Sequence, residues 1–231
     1  MKKRYICTFV VVLLLSMFSV VPVTNPSEKQ EEATPSEKKR EEPVSADREA
    51  KAYELFNEIL TLTETPDTKA VYPQMEALYL EIIRGYPDTA LAQESCWRLI
   101  SLYVEKNTPP EYEKADTLYA EFLKRYPGSA IKALIDDTLS GSYYKNEKWN
   151  GILKLYSSVV DVYKEKGKLP NPNPMFMYAE AKYNLGDLIE AGKAYKIVIE
   201  LFPTSSRAAT SKIRLEDIKK KKANADLPVV K

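Results

Sequence analysis

The chain has no histidine, and that absence removes more chemistry than any other feature of its composition. Without imidazole there is no Ser/His or Cys/His dyad, no imidazole metal ligand and no imidazole general base. Cysteine is scarce as well: Cys7 lies in an apolar N-terminal run, so Cys96 is the single thiol of the body. In an oxidising compartment a lone thiol is either buried or pairs between chains, and its apolar helical setting favours burial as a small hydrophobe. Glycine is sparse, with seven in 231 residues, and no phosphate loop, nucleophile elbow or metal-ligand spacing appears. An excess of one charge is also missing, since 34 Lys and Arg face 33 Asp and Glu. The whole chain therefore offers no electrostatic case for nucleic acid. Carboxylate neighbours such as Asp136 and Asp137 point to different sides of a helix and do not converge on one reacting atom. These absences predict a non-catalytic protein with no cofactor and no metal. An enzyme with an unrecognised site is the weaker reading.

What is present is a repeat. In Leu188 to Pro203, Leu188, Tyr195 and Phe202 stand seven apart with Ala191, Val198 and Ile199 between them, giving one apolar helical face over four turns. The same template fits Tyr72, Tyr79 and Tyr86, then Tyr112, Tyr119 and Tyr126, then Trp149, Tyr156 and Tyr163. Met75, Ala115 and Ile152 take the place of Ala191. The central tyrosines advance by 40, 37 and 39 residues, the period of stacked helix-pair arrays. Pro87, Pro127 and Pro203 follow three of the template helices, and Thr89, Ser129 and Ser205 are ready N-caps for the next ones. Each junction is thus a helix stop joined to a helix start. Leu99 with Tyr103 and Leu139 with Tyr143 fall at equal offsets from their prolines, on one apolar face of the following helices. All of these aromatics are expected in the core.

The chain opens Met1-Lys2-Lys3-Arg4, followed by nineteen uncharged residues from Tyr5 to Val23. A basic start before a long apolar run directs membrane insertion. At 1.5 Å per residue it spans roughly 28 Å, enough for the hydrocarbon core. Residues 1–23 are therefore a membrane anchor or a cleaved signal segment; either way the body is exported, tethered by residues 5–23 in the first case and soluble in the second. Residues 24–46, rich in Glu, Lys, Pro, Ser and Thr, have too little apolar surface to order and form a charged linker. The first helix begins near Asp47, with Ala52, Leu55, Phe56, Ile59 and Leu60 on its apolar stripe and Tyr53 at the edge. Ser206 to Ile218, with Ala209, Ile213, Leu215 and Ile218, is a closing helix for the array. Lys219 to Lys222 open a basic tail, 219–231, that complements a helix C-terminus.

Tyr178, Ala179, Gly186-Asp187, Ala191, Tyr195, Val198 and Pro203 resemble the large, small, turn, small, aromatic, small and proline positions of the tetratricopeptide repeat. The Tyr-Pro-Asp-Thr-Ala and Tyr-Pro-Gly-Ser-Ala junctions look like the subgroup in exported proteins of Gram-negative envelopes. That subgroup includes the assembly lipoprotein of outer-membrane β-barrels and the periplasmic coordinator of the Tol-Pal system. Lys182 stands where an aromatic is usual, Lys164 replaces the third proline, and the loops near Asn107-Thr-Pro-Pro110 and from Lys164 to Pro174 are longer than the family's. The resemblance covers about residues 47–218 and implies an all-α solenoid of antiparallel helix pairs, about four repeats plus a C-terminal capping helix. It implies that the first helix of each repeat lines a concave groove for peptide or protein partners. That face maps onto Trp97 and Ser101, Asp137, Gly141 and Tyr144, and Phe176, Glu180, Tyr183 and Asn184. The function implied is an interaction scaffold of the cell envelope; a structural, self-associating envelope protein is the alternative.

Overall fold

A computed structural model describes residues 46–225, and these are helical with no strand among the described residues. The apolar N-terminal run and most of the charged linker lie outside them. Ten helices follow in order: α1 (Ala46–Thr63), α2 (Tyr72–Gly85), α3 (Ala90–Ser101), α4 (Tyr112–Arg125), α5 (Ile131–Lys145), α6 (Trp149–Tyr156), α7 (Val159–Lys166), α8 (Asn173–Asn184), α9 (Leu188–Leu201) and α10 (Ser206–Ala225). They pack as neighbouring pairs, α1 with α2, α3 with α4, α5 with α6, and α8 with α9. The first helices of the pairs also meet along the array, α1 on α3 and α3 on α5, and α10 closes the last pair against α8 and α9. This is the all-α solenoid that the spacing predicts.

The junctions explain why the chain turns where it does. Tyr86, Tyr126 and Phe202 end α2, α4 and α9 with φ near −130, −127 and −134° and ψ near 50, 58 and 54°, the non-helical backbone imposed by the proline that follows. Thr89 Oγ1 then accepts the Ala92 N–H at 3.2 Å, Ser129 Oγ that of Ile131 at 3.1 Å, and Ser205 Oγ that of Ala208 at 3.1 Å. Each hydroxyl satisfies one orphan donor of a new helix. Pro73 sits in the first turn of α2, where its missing N–H is harmless. The third copy differs. The helix expected from Trp149 through Tyr163 is broken at Ser157–Ser158 into α6 and α7, and without a proline at Lys164 the chain continues to Gly167, which ends α7 in the left-handed region at φ 64°.

The four central tyrosines are buried, with Tyr195 fully so, and Leu99, Tyr103, Leu139 and Tyr143 join them in one core. Cys96 is buried too, which pushes its thiol up to about 12 and withdraws it from pairing with a second chain. In α1, Ala52, Phe56 and Ile59 face the core while Tyr53 and Leu60 are exposed. The closing helix corrects two expectations. It extends beyond Ile218 to Ala225, so Lys219 to Lys222 are helical. Its inward face is Ala208, Ser211, Leu215 and Ile218, whereas Ala209 and Ile213 point to solvent, because 208, 211, 215 and 218 keep the 3-and-4 spacing of one stripe.

Candidate peptide-binding cleft

The residues mapped onto the groove all lie on first helices, with Trp97 and Ser101 on α3, Asp137 and Tyr144 on α5, and Phe176, Glu180, Tyr183 and Asn184 on α8. Their surroundings differ. Trp97 is half-buried, and its indole N–H donates to Thr138 Oγ1 at 3.0 Å, tying α3 to α5. Ser101 donates to Glu105 in the π-helical segment, Leu102–Lys106, that follows α3, and Asn184 Nδ2 donates to the Glu180 carbonyl at 2.8 Å. Asp137 and Tyr144 are exposed. Phe176 and Glu180 are not groove surface: both are buried. Phe176 is covered by Tyr195 and by the Arg207 guanidinium, 4.6 Å from its ring centre. Tyr183 is half-buried under α10, donating to Asp217 and lying beneath Arg214 and Lys221. The physical reason is the closing helix, which occupies the side of α8 that would otherwise face a partner.

Glu180 is the electrostatic centre of that end. Its Oε1 accepts from the Tyr195 hydroxyl at 2.6 Å and Arg214 Nε at 2.8 Å, and its Oε2 from the Tyr144 hydroxyl at 2.9 Å and Arg214 Nη2 at 2.9 Å. Burial alone would raise the carboxyl, but the hydrogen bonds from Arg214, Tyr195 and Tyr144 outweigh it and hold Glu180 below its ordinary value. Arg214 is raised by the same bond. The carboxylate thus joins α5, α8, α9 and α10.

A second polar device repeats at a 40-residue step. Glu76 on α2 accepts from the Tyr103 hydroxyl at 2.8 Å and from Lys114 at 3.1 Å. Forty residues on, Asp116 on α4 accepts from the Tyr143 hydroxyl and from Lys154 at 2.9 Å. In each case the acid on one second helix takes a lysine from the next second helix and a tyrosine, Tyr143 from α5 and Tyr103 from the segment Leu102–Lys106 that continues α3. These are locks between repeats.

What remains open on the first-helix row is a cleft of 490 Å³ between α5 and the head of α8. Tyr156, Ser140 and Met177 form its floor; Asp136, Asp137, Asn173 and Arg207 stand around it. Asn173 Nδ2 donates to Asp137 Oδ1 at 3.2 Å, while Asn173 Oδ1 is buried with no partner. Asp136 is engaged by Tyr119 and Lys132. The rim therefore offers carboxylate acceptors, a spare amide oxygen and a guanidinium over an apolar floor, which suits the alternating donors and acceptors of a peptide main chain. Of the mapped residues only Asp137 and Gly141 line it. Asn173, Met177 and Arg207 were missed by sequence spacing. The available signal was the long Lys164 to Pro174 loop, whose Asn-Pro-Asn-Pro end sets Asn173 at the head of α8.

Among the described residues no group of His, Cys, Asp and Glu is arranged to hold a metal ion, and no helix is long and apolar enough to cross a membrane. Antiparallel pairs joined by proline and N-cap turns, stacked with a closing helix, define an α-solenoid of tetratricopeptide type. The tetratricopeptide repeat family model matches residues 175–205, which run from the first turn of α8 through α9 to the turn after it. That match and the helical stack support a tetratricopeptide-type protein, a class that generally mediates protein–protein interaction and is generally non-catalytic. No curated protein matches the chain.

Proposed function

We propose that the chain is a non-catalytic scaffold of the bacterial cell envelope and that the cleft between α5 and α8 seats an extended peptide segment of its partner. The observation carrying the reading is the apolar floor of Tyr156 and Met177 flanked by Asp137, Arg207 and Asn173, whose Oδ1 has no partner. A buried acceptor without a donor costs about 1–3 kcal/mol, and turning the Asn173 amide toward the cleft would let a bound N–H relieve it. The envelope assignment rests on the basic start and apolar run of residues 1–23, which lie outside the described residues, and tethering to the inner membrane follows from leaving that run uncleaved.

The test places a photo-crosslinking residue at position 141, where an added Cβ meets nothing within 4 Å, and a second at the exposed Lys124 of α4. In cells, position 141 is expected to trap one discrete partner, and Asn173→Ala with Arg207→Ala is expected to abolish that product while the helical spectrum is kept. Equal trapping from position 124, or a product indifferent to the double substitution, rejects the cleft as the site. Fractionation of the cells with the soluble cytoplasm rejects the envelope reading.

A further inference from the structure

At the end of the array, α9 and α10 leave a slot of 460 Å³ that corresponds by register to a place filled by a helix in the earlier repeats. Leu99, Leu139 and Leu215 each stand twelve residues beyond a junction proline. The first two are fully buried under α4 and α6, whereas Leu215 is only partly covered. With Leu188, Ile189 and Ile218 it forms an apolar floor, and Ile189 is 62% exposed.

The charge around this floor is opposite to that of the inner steps. At the inner steps the second helix presents an acid, Glu76 or Asp116, to the incoming Lys114 or Lys154. The equivalent position on α9, three residues before the central tyrosine, is Gly192. Five lysines surround it, Lys193, Lys196, Lys212, Lys219 and Lys222, with Glu216 as the one acid of the lining. Lys193 pairs with Glu190 at 2.7 Å and Lys219 with Glu216 at 2.7 Å. Lys196, Lys212 and Lys222 make no ion pair among the described residues. From this we infer that the α9–α10 slot docks an acidic amphipathic helix of a partner protein, continuing the stack by one second helix. The surface is separate from the cleft between α5 and α8. A trough between two helices seats a cylinder of side chains, whereas an anionic lipid surface needs a face that lies flat on it, and the repeat register supplies the trough.

The probe is a synthetic peptide with the sequence of residues 112–125, a second helix of this array, in which Lys114, Lys124 and Arg125 are replaced by glutamate. A control peptide carries lysine at all its acidic positions. Fluorescence anisotropy with the full chain is expected to show saturable binding of the acidic peptide, weakened on the order of tenfold by Lys196→Glu with Lys212→Glu and by salt. Ile189→Ser, at an exposed position that leaves the fold intact, is expected to weaken it as well. The control peptide is expected to prefer the charge-reversed variant. Binding unchanged by these substitutions, or absent up to millimolar peptide, overturns the inference. So does binding that appears only after residues 226–231 are removed, which makes that segment the occupant. Vesicles of phosphatidylglycerol and phosphatidylcholine are the third arm: a vesicle affinity that falls with Lys196→Glu and Lys212→Glu while the peptide fails to bind assigns the slot to lipid and overturns it too.

Discussion

A buried carboxylate with four hydrogen bonds is stable only while its cation is present. Removing one partner of a buried pair leaves an uncompensated charge, at a cost of about 3–5 kcal/mol. Arg214→Met, which keeps the packing of the stem, is therefore expected to lower stability by about 3 kcal/mol at neutral pH in urea unfolding. The sign of its pH dependence follows from Glu180 lying below its ordinary value. In the wild type its contribution is present above the unfolded carboxyl value, about 4.3, and is lost as pH falls through the lower folded value. In the variant the carboxyl has lost its cation and is raised by burial, so acid favours the folded form. The stability gap is expected to narrow from pH 7 toward pH 4, and a gap independent of pH contradicts this account. Tyr195 separates ring from hydroxyl in the same cluster: Tyr195→Ala is expected to cost about 3–5 kcal/mol through the lost volume, Tyr195→Phe about 1–3 kcal/mol through the lost bond to Glu180. A loss under about 1 kcal/mol for the alanine variant contradicts the packing.

At the scale of elements, periodicity was legible wherever one face decided burial. Tyr79, Tyr119, Tyr156 and Tyr195 recur because each is pressed between a pair and the next first helix, and that requirement writes itself into spacing. The break at Ser157–Ser158 was not legible, because the apolar pattern of Trp149, Tyr156 and Tyr163 continues through it and no proline or glycine marks it. Polar partners were also hidden: Glu180 has the spacing of a groove residue, yet it is held inward by Arg214 from 34 residues away together with Tyr144 and Tyr195. Close approach distinguishes two glycines in this way as well. A Cβ at Gly151 on α6 would meet the Tyr143 ring at 2.8 Å, whereas one at Gly192 on α9 would meet Leu215 at an ordinary 3.8 Å. Gly151→Ala is expected to destabilise by about 1–3 kcal/mol through overpacking against a ring held by Tyr112 and Asp116. Gly192→Ala is expected to stabilise α9 by about 0.5–1 kcal/mol through helix propensity. Thermal melts of both variants check the pair; equal effects contradict the contact.

Over the described array, stability is a sum of pairs and the interfaces between neighbours. The cleft could not be read from the chain because its walls come from α5, α8 and α10, and no spacing rule joins Asp137 to Arg207. That same assembly makes α10 more than a cover: it brings Arg214 to Glu180, Arg207 to Phe176 and the cleft, and Asp217 to Tyr183. Ending the chain at Phe202 removes all three together. Glu180 is then buried without its cation, so α8 and α9 are expected to lose most of their amide protection in hydrogen exchange. α10 packs on α8 and α9, whereas the pairs α1–α2 and α3–α4 hold their own locks, Glu76 with Tyr103 and Lys114 among them, so their protection is expected to persist. Partner capture from position 141 is expected to disappear with the wall that Arg207 forms. Uniform loss of protection across the array means one cooperative body, not a nearest-neighbour stack; unchanged protection in α8 and α9 means that the buried carboxylate does not hold the last pair.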